Sequence, residues 1–205
     1  LFYGSGADEV EKFLTGGGGD AVNADGPDSA TSAAGGRDLI ETGAGRDVVA
    51  AGAGDDWVEG GAEGDILAGN GGNDVLFADT SDGQTLTIEG AIAAGEAGMQ
   101  APGPGDILSG DAGDDVLLGS AGADLFLGGE GAEVIVGGAG DDTVYGDETL
   151  VSATLDWTVA RTRTDGAGGS VTFTVSLTNA ASAGADAAGA LDVIYGGAGA
   201  DWIFA

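Results

Sequence analysis

Apolar positions along this chain follow a nine-residue beat rather than the 3.6 of a helix or a simple alternation. In the first clear run an aliphatic falls at Ile40, Val49, Val58, Leu67 and Leu76, each two places after an acid, at Asp38, Asp47, Asp56, Asp65 and Asp74. The second run sets Leu108, Leu117, Phe126, Ile135 and Val144 behind Asp106, Asp115, Asp124, Glu133 and Asp142. The beat returns in "AAGALDVIY" (187–195) and "GGAGADWIF" (196–204), with Asp192 and Asp201. A fixed period of this length predicts a solenoid whose repeating unit is a glycine-rich turn followed by a short strand. Looser relatives stand upstream, around Asp8 with Val10 and Asp20 with Val22, spaced twelve apart.

Residues 78–100 and 146–186 leave the beat. In the second, "TLDWTVARTR" (154–163) and "SVTFTVSLT" (170–178) alternate at period two around "TDGAGGS", which predicts a β-hairpin. Leu155, Trp157 and Val159 then share one face with Val171, Phe173, Val175 and Leu177, and threonines line the other. Two readings of that apolar face stand: it packs on the solenoid or the other insertion, or it is a protein-partner or self-assembly surface spanning 155–177. The first interruption carries "QTLTIEG" (84–90), which reads as a short strand, then an Ala/Gly-rich loop (91–103). Asp79 and Asp82 read as loop solubility ahead of a peripheral cation site.

Composition sharpens the chemistry. The chain has 205 residues, of which 44 are Gly, and 35 acidic residues stand against 5 basic ones for a net charge of −30. That excludes nucleic acid, whose phosphates need a basic footprint, and a bare anionic membrane surface. With no Cys and no His, thiolate zinc sites, a cysteine nucleophile and the usual general base are excluded. No H-E-x-x-H, no nucleophile elbow with His and no membrane-spanning apolar run occurs, so the expectation is a non-enzyme without a membrane span. A compact fold so charged repels itself unless multivalent cations neutralise it, and oxygen is the only ligand on offer. The chain opens on Leu1 and shows no signal peptide, and is expected to be a segment of a longer protein.

The units resemble the G-G-x-G-x-D-x-U-x nonapeptide of the RTX (repeats-in-toxin) haemolysin-type calcium-binding family, strictly over about half the chain. The resemblance implies an all-β, right-handed parallel β-roll with two inserted loops, forming a single segment over 1–205. Irregular repeats fill 1–32, and regular repeats fill 33–77, 101–145 and 187–204. Two units make one coil, units eighteen apart stack, and Ca²⁺ sits between stacked turns, held by Asp side chains and glycine-turn carbonyls. The implied ligands are Asp38, Asp47, Asp56, Asp65, Asp74, Asp106, Asp115, Asp124, Glu133, Asp142, Asp192 and Asp201. Pairing residues eighteen apart within the two runs gives about six Ca²⁺, with more wherever pairs bridge the interruptions. Glu63 and Pro104 replace the fourth-position Gly, and Glu133 replaces the Asp. Arg37 and Arg46, at the fifth position, are expected to face solvent and trim local charge.

The function implied is a calcium-binding structural module of a secreted or cell-surface bacterial protein. Such a module is exported unfolded through a one-step channel and folds on Ca²⁺ into a rod for surface-layer, adhesin or scaffold use. The alternative is the C-terminal calcium-binding region of an exported enzyme or toxin whose catalytic part lies elsewhere. An ice-binding face needs a Thr/Asn ladder at the third and fifth turn positions. The first clear run has Gly35, Ala44, Ala53, Ala62 and Gly71 at the third, and Arg37, Arg46, Asp55, Gly64 and Asn73 at the fifth, which disfavours it.

Overall fold

A nine-residue unit with three strand residues can bury only its middle one, because successive side chains of a strand point to opposite faces. In the computed structural model the middle residue is buried in every unit of the two runs, and flanking residues are buried as well where something covers the outer face, as at Leu125 and Leu127. The structure describes residues 2–3, 10–14, 21–23, 36–78, 105–183 and 190–205, the three N-terminal strands and Leu155 by their backbone alone. The 84–90 strand, the loop that follows it, Asp8, Asp20, Asp79, Asp82 and Pro104 lie outside the described residues.

Numbered in chain order, the strands alternate between two parallel sheets. One runs β1 (Phe2–Tyr3), β3 (Ala21–Asn23), β5 (Val48–Ala53), β7 (Ile66–Gly71), β9 (Ile107–Ala112), β11 (Leu125–Glu130), β13 (Thr143–Tyr145) and β17 (Trp202–Phe204). The other runs β2 (Val10–Leu14), β4 (Arg37–Ala44), β6 (Trp57–Ala62), β8 (Val75–Phe77), β10 (Val116–Leu118), β12 (Val134–Val136) and β16 (Val193–Tyr195). No helix occurs among the described residues. The result is an all-β parallel roll of two facing sheets.

Inside each run the register is one coil: Ile40 pairs with Val58, Val49 with Leu67, and Phe126 with Val144. It also passes both interruptions without a gap, since Ile66 pairs with Ile107, Val75 with Val116, Val134 with Val193, and Thr143 with Trp202. Ala78 and Gly146 stay in the stack, their N–H groups donating to Leu118 O at 2.8 Å and Phe204 O at 2.7 Å. The N-terminal strands extend both sheets, and their spacing of twelve shows in the register. Val22 pairs with Val49, whereas Val10 pairs with Arg37 and Phe13 is the register partner of Ile40.

The core is a file of single side chains, one per unit: Ile40, Val49, Val58, Leu67, Leu76, Leu108, Leu117, Phe126, Ile135 and Val144, all buried, with Ile194 packed on its end.

The predicted hairpin is present and longer than the alternating segments, pairing β14 (Thr149–Asp165) with β15 (Val171–Ala183) antiparallel. Its turn closes with Gly166 N–H donating to Ser170 O at 2.6 Å. Of the two readings of its apolar face, packing on the roll is the arrangement seen. Leu150, Ala153, Trp157, Val159 and Leu177 lie on the outer side of the eight-stranded sheet, against Ile66, Ile107, Leu125, Leu127 and Tyr145. Val171 and Phe173, nearer the turn, stay exposed. Arg161 pins the arms to the last coils: its guanidinium donates to Asp142 O at 3.0 Å and Ala200 O at 2.8 Å, pairs with Asp141 at 3.4 Å, and lies over Trp202.

Candidate metal centres

The parallel stack turns the nine-residue spacing of acids into two vertical ladders. On one side stand Asp38, Asp56, Asp74, Asp115, Glu133 and Asp192; on the other, Asp47, Asp65, Asp106, Asp124, Asp142 and Asp201. Asp192 and Asp201 are half-buried, and the rest are buried. Burying so many carboxylates is costly unless each is hydrogen-bonded, paired or metal-bound.

Half of that requirement is met by the backbone. An Asp N–H donates to Oδ1 of the Asp one coil on, Asp38 to Asp56 at 2.8 Å, Asp56 to Asp74 at 2.8 Å, Asp47 to Asp65 at 2.9 Å, and Asp106 to Asp124 at 2.8 Å, but the step from Asp115 to Glu133 lacks this bond, both Glu133 carboxyl oxygens being buried without a partner. The same bond crosses the first interruption, from Asp65 to Asp106 and from Asp74 to Asp115, both at 2.7 Å. It crosses the second from Glu133 to Asp192 at 3.3 Å and from Asp142 to Asp201 at 3.2 Å. The interruptions therefore add four steps to the ladders beyond those counted within the runs.

The second oxygen is where a cation fits. Oδ2 of Asp74, Asp115 and Asp142 is buried with no hydrogen-bond partner, and it faces the first-position glycine of its own unit, Gly69, Gly110 or Gly137, where a Cβ would collide with it. The second- and fourth-position residues lie directly over the carbonyl oxygens of the coil before, Gly129 over Asp111 O and Gly131 over Gly113 O. Their backbone has positive φ, at Gly43, Gly45, Gly129 and Gly131 among others. Even Glu63, at a fourth position, is held at φ 84, so the stack imposes this turn on a side chain that disfavours it. Among the described residues no three acidic side chains gather at one point, so each site has to combine a carboxylate with backbone carbonyls. That hard, all-oxygen donor set suits Ca²⁺.

Electrostatics point the same way. Burial, opposed in part by the backbone hydrogen bond to Oδ1, raises Asp74 to about 8, with the neighbouring Asp115, Asp56 and Asp55 adding to the rise. Burial also raises Asp115 to about 7, Glu133 to about 8 beside Asp192, and Asp142 to about 7 with Asp124 and Asp201 near it and Arg161 opposing. Without metal, a folded state with raised carboxyl pKa values binds more protons than the unfolded chain. Its stability is fully present below the ordinary carboxylate range near 4 and is lost as pH rises through 7 to 8. Acidifying the calcium-free chain from pH 8 to pH 4.5 should therefore increase β-sheet circular dichroism with the chain still monomeric by light scattering; no gain would contradict buried carboxylates as the obstacle to folding.

A second ladder escaped the sequence reading. The fifth-position side chains Asp55, Asn73, Asp114 and Asp141 each accept the N–H of the next coil, from Asn73 at 3.0 Å, Asp114 at 2.9 Å, Ala132 at 3.0 Å and Ala200 at 2.9 Å. Their shared place in the nine-residue beat was the available signal. Arg37, at the same position, is exposed and its Nε donates to Asp55 O at 3.3 Å. Arg46 is not solely a solvent charge, since it reaches the hairpin's Asp156 at 3.9 Å.

Parallel coils with stacked carboxylates over glycine turns define a calcium-binding β-roll. The family model described as the RTX calcium-binding nonapeptide repeat matches residues 32–67, 59–82, 105–132, 127–148 and 189–205, together more than half of the chain, and the chain belongs to that family. It is a calcium-binding repeat module. No curated protein and no solved structure matches it.

Proposed function

We propose that the chain is a calcium-folded structural rod within a secreted or cell-surface bacterial protein of the surface-layer, adhesin or scaffold kind. The supporting observation is that the carboxylate ladders run through both interruptions, one without a missing bond from Asp47 to Asp201, the other crossing from Asp74 to Asp115 and from Glu133 to Asp192. Insertions into such a stack decorate the rod without cutting it, which suits a spacer that must stay rigid while carrying additional surfaces. Bound Ca²⁺ would neutralise the carboxylates and fill the gaps between turns, at about six positions within the runs and more across the interruptions. The chain's own residues do the rest: the Asp N–H ladder sets the coil spacing, and the glycines clear room for carbonyls.

The proposal assigns no catalysis to these residues. The hairpin sheathes one sheet and offers a partner, or a second copy, its hydroxyl-lined outer face and its turn, where Val171 and Phe173 are exposed. Cells bearing the parent protein should shed it when extracellular calcium is chelated and retain it in millimolar calcium. Retention after chelation would count against a calcium-maintained surface role.

A further inference from the structure

One turn of the roll is built differently from the others. In every other unit whose second and fourth positions are described, both residues have positive φ, from Gly43 and Gly45 to Gly197 and Gly199. In the unit 119–127 neither Ser120 nor Gly122 does. The fourth-position N–H elsewhere donates across the stack to a third-position carbonyl, as from Gly113 to Glu130 O at 2.8 Å and from Gly140 to Ala198 O at 2.8 Å. Gly122 N–H instead donates within its own turn, to Ser120 Oγ at 2.9 Å.

The carboxylate of this unit is also treated differently. Oδ2 of Asp74, Asp115 and Asp142 lacks a partner, but Asp124 Oδ2 accepts the Ser120 N–H at 2.7 Å. Its Oδ1 accepts both the Asp106 N–H at 2.8 Å and the Ser120 hydroxyl at 3.2 Å. Ser120 thus supplies, from one residue, the hydrogen bonds that discharge the need a cation meets in the neighbouring turns. Ser120 also lacks the positive φ that glycine takes at the same position of the units that follow, as at Gly129 and Gly138.

We infer that Ser120 closes the 119–124 turn without a cation, so that Asp124 is a hydrogen-bonded rung in a ladder whose other rungs bind calcium. This rests on the carboxylate ladders being the calcium sites, and the test separates the two claims. The number of Ca²⁺ ions retained per chain at saturating calcium is counted by native mass spectrometry for the unaltered chain, Ser120→Gly and Asp201→Asn. Ser120→Gly restores the repeat's glycine and should gain one ion, whereas Asp201→Asn, in the last coil, should lose one. A loss in Asp201→Asn with no gain in Ser120→Gly overturns the inference and leaves the ladders standing; no change in either overturns both. A Ser120→Gly chain that fails to fold in saturating calcium also overturns it, because glycine there should recreate the turn its neighbours use.

Discussion

Stripping calcium from the folded chain should abolish its parallel sheets. Each nine-residue unit buries one aliphatic side chain in the central file, such as Leu76 or Leu117, while ordering nine backbones at about 1–2 kcal/mol each. Burial of that side chain, of flanking residues such as Leu125 and Leu127 in some units, and a few strand hydrogen bonds do not offset that cost. The same units bury carboxylates, among them Asp74, Asp115 and Asp142, whose second oxygens have no protein donor. Net charge of −30 adds long-range repulsion. Folding and metal binding are therefore expected to behave as one equilibrium. Excess chelator should remove the β signal from far-ultraviolet circular dichroism, and returning calcium should restore it. The hairpin should lose its seat on the outer sheet at the same time, so fluorescence from Trp157 and Trp202 should shift to the red. A spectrum indifferent to chelation would defeat the coupling.

The nine-residue beat made the roll and its central file readable before any coordinates. An acid with an aliphatic two places later leaves one phase for the strand, and Ile40 through Val144 occupy it. The hairpin was readable from its own period of two. Stacking across the interruptions was hidden, because Asp74 meets Asp115 across 41 residues and Glu133 meets Asp192 across 59, separations set by the insertions rather than the repeat. Phe13 was missed because the first strands leave the beat, so Val10 carried the same local signature without the same register. Ser120 was not singled out, because the acid and the aliphatic of its unit keep the beat. Only the φ values and the Asp124 hydrogen bonds reveal that it changes the turn.

The hairpin also alters what the interruptions mean. It leaves the roll after Gly146 and returns across β7, β9 and β11, so its apolar arm shields coils laid down well before it in the chain. Arg161 then ties it forward to Ala200 in the final coil. A segment that sits on β7, β9 and β11 and holds the final coil links the first and second runs to the two-unit tail by contacts that do not involve metal. Cooperativity along a solenoid otherwise depends on neighbouring coils alone.

Adding one methyl group in the middle of the stack should damage folding more than the same change elsewhere, and two glycines with the same kind of backbone test this. Gly113 has φ 140 and Gly168 has φ 85, so alanine at either is held at a positive φ that L residues rarely adopt, at a cost of about 1–3 kcal/mol. At Gly168, in the hairpin turn, a Cβ meets nothing within 4 Å. At Gly113 it would overlap the carbonyl oxygen and carbon of Gly72 and come to 3.1 Å from Asn73 Oδ1. Strands stacked at about 4.8 Å cannot part locally without breaking ladder bonds above and below. The bonds at risk include Gly113 N–H to Glu130 O and Asp74 N–H to Asp115 Oδ1. Gly113→Ala should raise the calcium midpoint of folding by roughly tenfold or more, or prevent folding altogether, whereas Gly168→Ala should leave the midpoint within about threefold. Calcium titrations followed by circular dichroism decide it. Equal midpoints for the two variants would mean that the turns are not stacked as closely as the coils require.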